Sequence, residues 1–569
     1  MTMASNANPR TGGQILVDQL VAQGVDNVFC VPGESYLSVL DALYDAPIAL
    51  TVCRQETGAG IMAEAAGRLS GRPGVFFVTR GPGATNAAHA IHIADQAGTP
   101  VILFIGQVGR GVRERDAFQE MDYRAFFGST TKWATEIDDA RRIPELVSRA
   151  FHIAQQGRPG PVVIALPEDM LQEKAEVADA PRVDPVEIWP GWPQIRALEK
   201  LLHDGERPMM IVGGSGWSEA GAAAITRFAE RFELPTAASF RRATLIPNHH
   251  DCYAGELGIG ANPKLRNRVE RADLVLLVGG RMGDIPSQGY ELLDIPKPRQ
   301  KLVHVHAHSG EIGRVYHPDL GIVATPNAFA ASLEKLQPPS PCRWAAEREM
   351  TRQDYLEWTK EPAPGPGPTQ LGEIFIWLRD RMPADAIVTN GAGNFALWVG
   401  RYLRFGRFGT HLGPVSGSMG YGLPAAVGAQ RLHPDRLVVC FCGDGDFLMN
   451  GQEFATAVQY DLPIVVAVID NGMYGTIRMH QERRYPGRIC GTSLRNPDFA
   501  AYARAFGGHG EIVEKTADFP AAFERCRSTG KPSIIHIKVD PDAITPSMTL
   551  SGLRAAAEAH QRLPSNQAG

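Results

Sequence analysis

Apolar runs of strand length recur along this chain, each separated from the next by a longer amphipathic stretch. That alternation is the pattern of parallel sheets with helices on both faces. Three blocks carry it. The first reads VDNVFCV, VFFVT, PVILFIG and PVVIALP; the second MMIVGGSG, LVLLVGG and KLVHVHA; the third AIVTNG, LVVCFCGDG, PIVVAVIDN and SIIHIKV. Two segments interrupt it: residues 172–190, charged and proline-containing, and the stretch from PPSPCRW to EPAPGPGPT, where proline and glycine preclude regular structure. The predicted class is α/β, with three domains that are each a mainly parallel sheet flanked by helices, over 11–175, 190–338 and 369–541. A disordered N-terminus at 1–10, a linker at 339–368 and a C-terminal tail at 542–569, with one helical stretch LSGLRAAAEAHQRL, complete the division. A chain of 569 residues is too long for one ordinary core, which agrees with it.

Composition narrows the function classes. A net charge of −5 is spread thinly with no long basic run, so neither nucleic acid nor membrane is an expected partner. No stretch approaches the length of a membrane span, and the start MTMASNANPR lacks the apolar core of a secretory signal. The eight cysteines are scattered without a CxxC pair, so no zinc site is suggested and Cys440 and Cys442 in LVVCFC are expected to be small buried hydrophobes. A reducing, cytoplasmic setting fits. His304, His306 and His308 alternate in VHVHAH and are expected on one face of a strand, in a structural role.

The chemistry concentrates where LVVCFC delivers Gly443, Asp444 and Gly445 and PIVVAVID delivers Asn471. With the helix-like FLMNGQEFATAVQY between them, this is a βαβ unit, whose right-handed crossover puts both strand ends on one edge. A carboxylate and an amide oxygen there suit octahedral Mg²⁺, which also takes phosphate oxygens and water. The glycines and a helix N-terminus let backbone N–H groups reach phosphates. Strand, Gly-Asp-Gly, helix, strand and Asn at this separation resembles the signature of thiamine-diphosphate (ThDP)-dependent enzymes.

Further segments resemble the same family, in its acetolactate synthase large subunit-like branch, and in the family's order of pyrimidine-binding, middle and diphosphate-binding domains. The resemblance implies ThDP and Mg²⁺ as cofactors, with the backbone carbonyl of Met473 joining Asp444 and Asn471 on the metal. Glu56, in TVCRQETGAGIMAEAAGRLSG, takes the place of the glutamate that activates the aminopyrimidine. Buried among small residues, it should resist full ionisation and share a proton with the ring. DAFQEMD, with Phe118 and Gln119, resembles a catalytic segment of acetolactate synthases. PVSGSMGYGLPAAVGAQ, with Gly417 among the implied cofactor contacts, resembles the start of the diphosphate-binding domain, and its Met419 takes the place of the residue that bends the cofactor. Gly393 and Asn394 in NGAGNFALW, with Asp446, Tyr474 and Gly475, complete the implied cofactor contacts.

The implied reaction is decarboxylation or carboligation of a 2-oxo acid, through a C2 ylide and an enamine, with a second carbonyl acceptor as an option. The implied assembly is a homodimer or homotetramer with the active site between subunits. Departures from the family cluster where substrate identity is decided. His480 replaces a usual tryptophan, and Asn394-Phe395 a usual glutamine-histidine. VPGESY puts Glu34, Ser35 and Tyr36 where small or apolar residues are typical, and Arg80 stands in VTRGPGATNAAHAI for a usual serine. Ser35, Tyr36, Arg80 and His480 are candidate substrate-pocket residues; Arg80, His480, His89, His92 and Arg478 read either as a partly basic pocket or as solvated surface. RMGDIPSQGY keeps Arg281 and Asp284 but loses a second arginine, so FAD is possible but not expected. Two alternatives stay open: an oxalyl-CoA or 2-hydroxyacyl-CoA decarboxylase or lyase, and a catalytically silent binding or regulatory subunit. Intact Glu56, Asp444 and Asn471 argue against the second.

Overall fold

Three six-stranded sheets, every strand parallel to its neighbours, organise the computed structural model, which describes residues 9–562. The expected disorder at 1–10 and the fraying C-terminal end fall almost wholly outside those residues. The first sheet holds β1 (Asn27–Cys30), β2 (Ala49–Val52), β3 (Gly74–Thr79), β4 (Val101–Gln107), β5 (Trp133–Glu136) and β6 (Pro161–Pro167), in the order β2-β1-β3-β4-β6-β5. The middle sheet holds β7 (Pro208–Val212), β8 (Thr236–Ser239), β9 (Tyr253–Leu257), β10 (Leu274–Val278), β11 (Lys301–His306) and β12 (Leu320–Val323), in the doubly wound order β9-β8-β7-β10-β11-β12. The third holds β13 (Ile387–Asn390), β14 (His411–Leu412), β15 (Val438–Gly443), β16 (Val465–Asp470), β17 (His509–Val513) and β18 (Ser533–Lys538), ordered β14-β13-β15-β16-β18-β17. Strands such as β4 and β10 are covered on both faces by helices, which is why they read as unbroken apolar runs.

Two helices weld the first domain to the third within the chain. α1 (Glu56–Ser70) packs against α4 (Gly422–Leu432), and residues of both join one core cluster, from Met62 and Ala63 to Leu423 and Val427. Close approach demands glycine: a Cβ on Gly428 would lie 2.8 Å from the Met62 carbonyl oxygen. The junction also buries Glu64, which accepts hydrogen bonds from Thr99 (2.7 Å) and Tyr421 (2.6 Å). α2 (Arg80–Ala97) follows β3 directly.

Some expectations need correction. The stretch 339–368 is not plain linker, because residues 345–360 form helix α3 (Ala345–Lys360), whose Tyr355 enters the middle-domain core. FLMNGQEFATAVQY is not one helix; it breaks after Phe447 and resumes at Phe454. His304 and His306 are buried on β11, but His308 lies beyond the strand end and is exposed, so the three do not share a face. In the tail, α6 (Leu550–Arg562) docks on α5 (Gly475–Arg484), where Arg554 grips the fully buried Glu482 at 2.5 and 2.8 Å. Among the described residues no helix is long and apolar enough to cross a membrane.

Candidate active site

The carboxyl ends of β13, β15 and β16 open into a cavity of about 610 Å³, the place where open parallel sheets hold ligands. Its wall gathers Gly393, Asn394, Gly417, Met419, Gly443, Asp444, Gly445, Asp446, Asn471, Met473, Tyr474, Gly475 and His480. Apolar cover comes from Trp358 and Trp398, and from Ile544 to Met548 of the tail.

Asp444 is 3 % exposed, and burial, with Asp470 beside it, pushes its carboxyl up to about 6 against a hydrogen bond from Asn496. A carboxylate held that far from water is stabilised by a cation, so the donor chemistry fits a divalent metal. Asn471 follows β16 in a turn: its Oδ1 accepts the Met473 N–H at 3.2 Å, and Gly472 takes φ +68. The loop is braced by a following segment, with Tyr474 N–H donating to the Thr492 carbonyl (2.9 Å) and Leu494 N–H to the Gly472 carbonyl (2.8 Å). At Gly417, also at positive φ (+68), a Cβ would meet no atom within 4 Å, which leaves room for a bound group. The residues therefore fit a metal–diphosphate group.

Asp446 does something different from the direct contact expected of it. Its Oδ1 accepts the Gly420 (2.7 Å) and Ala392 (3.3 Å) N–H groups, and its Oδ2 accepts the Gly443 N–H (3.3 Å). Both oxygens are occupied, and the side chain ties three glycine-rich loops into one cradle; burial pushes it up to about 7. Gly445 is also explained locally, since a Cβ there would lie 2.6 Å from the Tyr474 ring.

The first sheet brings together a second group. Glu56 opens α1 behind the N-cap Gln55 and accepts a hydrogen bond from Asn86 at 2.9 Å. In the single chain it is half-buried rather than buried, and it does not line the cavity. The backbone before it is held from the third domain: Glu453, with no exposed surface, accepts the Arg54 (3.1 Å) and Gln55 (2.9 Å) N–H groups, and burial pushes it up to about 7. Gln119, at φ +66, accepts the Gly81 N–H at 3.0 Å, and Phe118 is 74 % exposed beside it.

Within the single chain the candidate substrate-pocket residues do not gather at one place. Ser35 is buried with its hydroxyl 2.8 Å from that of Thr79. Tyr36 stacks on Phe77 and donates to the Val31 carbonyl at 2.5 Å, so both belong to the first-domain core. Arg80 is buried and neutralised by Glu34 (3.0 Å) and Glu168 (2.7 Å). Arg478 is buried against Thr492 (2.6 Å) and Ser493 (3.0 Å). His89 and His92 are exposed on α2. Of the pocket candidates only His480 reaches the cavity.

A second cavity, of about 370 Å³, lies at the switch point of the middle sheet, lined by Gly214, Gly279, Arg158, Arg281, Asp284, His304 and His306. Burial pushes His306 down to about 4, its Nδ1 accepts the His308 N–H at 3.0 Å, and no group of three or more His, Cys, Asp or Glu side chains that could hold a metal occurs among the described residues. Residues missed in the sequence are Asp470, Asn496, His536 and Glu453. Each acts on a site residue from a different part of the chain, and no local spacing announces that.

Three family models match in order: the N-terminal TPP binding domain of thiamine pyrophosphate enzymes over residues 10–126, the central domain over 195–333 and the C-terminal TPP binding domain over 391–537. The acetolactate synthase isozyme 2 large subunit of Escherichia coli is 30% identical over 536 residues, covering 93% of this chain and 95% of that protein. The acetolactate synthase large subunit of Parasynechococcus marenigrum is 34% identical over 520 residues, 88% of this chain and 83% of that protein. The acetolactate synthase of Bacillus subtilis is 29% identical over 538 residues, 93% of each.

Proposed function

This chain belongs to the thiamine pyrophosphate enzyme family, and from that premise we propose an acetolactate synthase-like enzyme that decarboxylates a 2-oxo acid and joins the acyl unit to a second carbonyl. The observation that carries the site assignment is the cavity at the third sheet, where Asp444, Asn471 and Met473 meet the glycine loops. Asp444 and Asn471 side chains and the Met473 carbonyl would hold Mg²⁺, and Gly393, Asn394, Gly417 and Gly443 would flank the diphosphate. Bound ThDP supplies an electron sink beside the substrate's carbonyl carbon, which is what loss of CO₂ requires. Asp446 keeps the cradle shaped before the cofactor arrives, and Trp358, Trp398 and Ile544 exclude water. Met419 lines the same cavity and would contact the bound cofactor.

Glu56 would hold and move a proton at a pyrimidine nitrogen, with Asn86 fixing one of its oxygens. Among the described residues none of the first domain lines the cavity, so a Glu56 serving it comes from another chain. Asn86, on the exposed polar face of α2, holds Glu56, and that face, with the exposed Phe118 of the same domain, suits such a contact. The reading is a homodimer or homotetramer with the site between subunits. His480 is the cavity residue placed to influence the acceptor. A flavin in the middle domain is not part of the proposal; a yellow protein with stoichiometric FAD would correct it.

The test is reconstitution. Chelation and gel filtration should abolish turnover of 2-oxo acids, and ThDP with Mg²⁺ should restore it, with product analysis identifying the acceptor. Full activity in the stripped protein sinks the proposal.

A further inference from the structure

We propose that Asn496, itself held by Asp470 and His536, is a positioning residue for the metal carboxylate of Asp444. The proposal rests on the Mg²⁺ reading of the third-sheet cavity. Asn496 Nδ2 lies 2.7 Å from Asp444 Oδ2 and 2.7 Å from Asp470 Oδ1. An amide nitrogen carries two hydrogens, so one goes to each carboxylate and the group is fully committed. Asp444 is thereby pinned by Oδ2, and its Oδ1 has no side-chain donor among the described residues. That is the oxygen left to face a cation.

The pin is anchored in turn. Asp470 Oδ1 also accepts the Gly472 N–H at 2.9 Å, and Oδ2 lies 2.9 Å from His536 Nε2. His536 Nδ1 accepts the Phe499 N–H at 3.3 Å, so its proton sits on Nε2 and is donated to Asp470. His536 is 3 % exposed in β18 and edge-packed on Phe499, which leaves its ring no freedom to turn away. Order therefore passes from β18 through Asp470 and Asn496 to Asp444. The same segment braces the Asn471–Met473 turn through Thr492 and Leu494, so one loop aligns all the expected metal ligands. Without the amide, two neighbouring carboxylates would face each other with no donor between them.

Outer-shell partners of this kind typically set about 10–100-fold in metal affinity. The test titrates Mg²⁺ into stripped full-length protein at fixed ThDP, following tryptophan fluorescence, since Trp358 and Trp398 line the cavity. Asn496→Ala should raise half-saturating Mg²⁺ by about 10–100-fold, and Asn496→Ser, which keeps one donor, by less. Saturating Mg²⁺ should restore turnover in both. Should Asn496→Ala fail to fold, Asn496→Ser and His536→Asn must show the shift. Folded variants with unchanged Mg²⁺ dependence overturn the proposal, as does loss of ThDP binding that no Mg²⁺ concentration restores. Asp444→Ala runs in parallel: if it also leaves Mg²⁺ dependence unchanged, the Mg²⁺ reading itself falls; if it alone abolishes binding, only the role of Asn496 falls.

Discussion

The first and third sheets connect their strands in the same order, second-first-third-fourth-sixth-fifth, yet the ends of their central strands do unlike things. After β15 the chain turns through Gly-Asp-Gly-Asp, and the third sheet buries Asp444 and Asp446 at the floor of a cavity. After β3 the chain runs straight into α2, and the nearby acid, Glu56, stays half-buried at a surface with Asn86. Even the positive charge there is spent internally, on the Arg80 pairs with Glu34 and Glu168. Topology supplies an equivalent edge twice; the connecting residues decide that one edge binds and the other, on our reading, activates what a partner chain binds.

The largest expected effect would break that division of labour. Asp444→Ala should abolish Mg²⁺-dependent ThDP binding, because it removes the charged oxygen donor. Glu56→Gln should bind ThDP nearly normally but lose about 10²–10⁴-fold in turnover, since an amide cannot cycle a proton. Mixing the two inactive chains sharpens the comparison. If the edges meet between chains, reassembled mixed dimers hold one intact site and regain part of the activity. No recovery, with chain exchange shown by mass, would mean that both edges serve one chain's own site.

Next in size come two glycines, one close in sequence to each acid. A Cβ on Gly58 would lie 2.5 Å from Glu453 Oε1, inside the bonds that hold Arg54 and Gln55. Gly58→Ala should cost about 1–3 kcal/mol by overpacking, read as a lower unfolding midpoint. Gly445→Ala instead presses on Tyr474 in the cavity wall and on Leu494. It should weaken ThDP binding by about tenfold, roughly 1.4 kcal/mol, with less change in the midpoint. Equal losses of stability and affinity in both variants would erase the distinction between a structural and a binding edge.

What was legible in the sequence follows the same logic. Strands such as β3, β4 and β15 are covered on both faces, so burial writes itself into an apolar run. Three strands without such a signal, Trp133–Glu136, Ala49–Val52 and His509–Val513, are edge strands with residues left partly exposed. Helix α3 escaped notice because its buried stripe is Thr351, Tyr355 and Thr359, hardly apolar, between proline-rich flanks. The Gly-Asp-Gly and Asn pair was readable because one βαβ unit sets both ends of the spacing. Asn496 and His536 were not, since only folding brings them to Asp444 and Asp470. The partners of Arg80 were hidden for the same reason: the acids that pair with it lie 46 and 88 residues away.

The smallest effect tests whether the first edge recognises substrate at all. Arg80 could bind a 2-oxo acid carboxylate only if released from its partners, and Glu34 is the exposed one, with 69% of its side chain open to solvent. With its acidic end in solvent the pair contributes about 0.2–1 kcal/mol, so Glu34→Gln should lower the unfolding midpoint by no more than about 3 °C. Glu168 remains at 2.7 Å and keeps the guanidinium in place, so KM for the 2-oxo acid should stay within about twofold, under about 0.4 kcal/mol. If Arg80 were instead a substrate ligand held back by Glu34, removing that competing charge would lower KM clearly and raise the salt sensitivity of binding. Such a change would return Arg80 to the active site and make the first edge a recognition surface as well as an activating one.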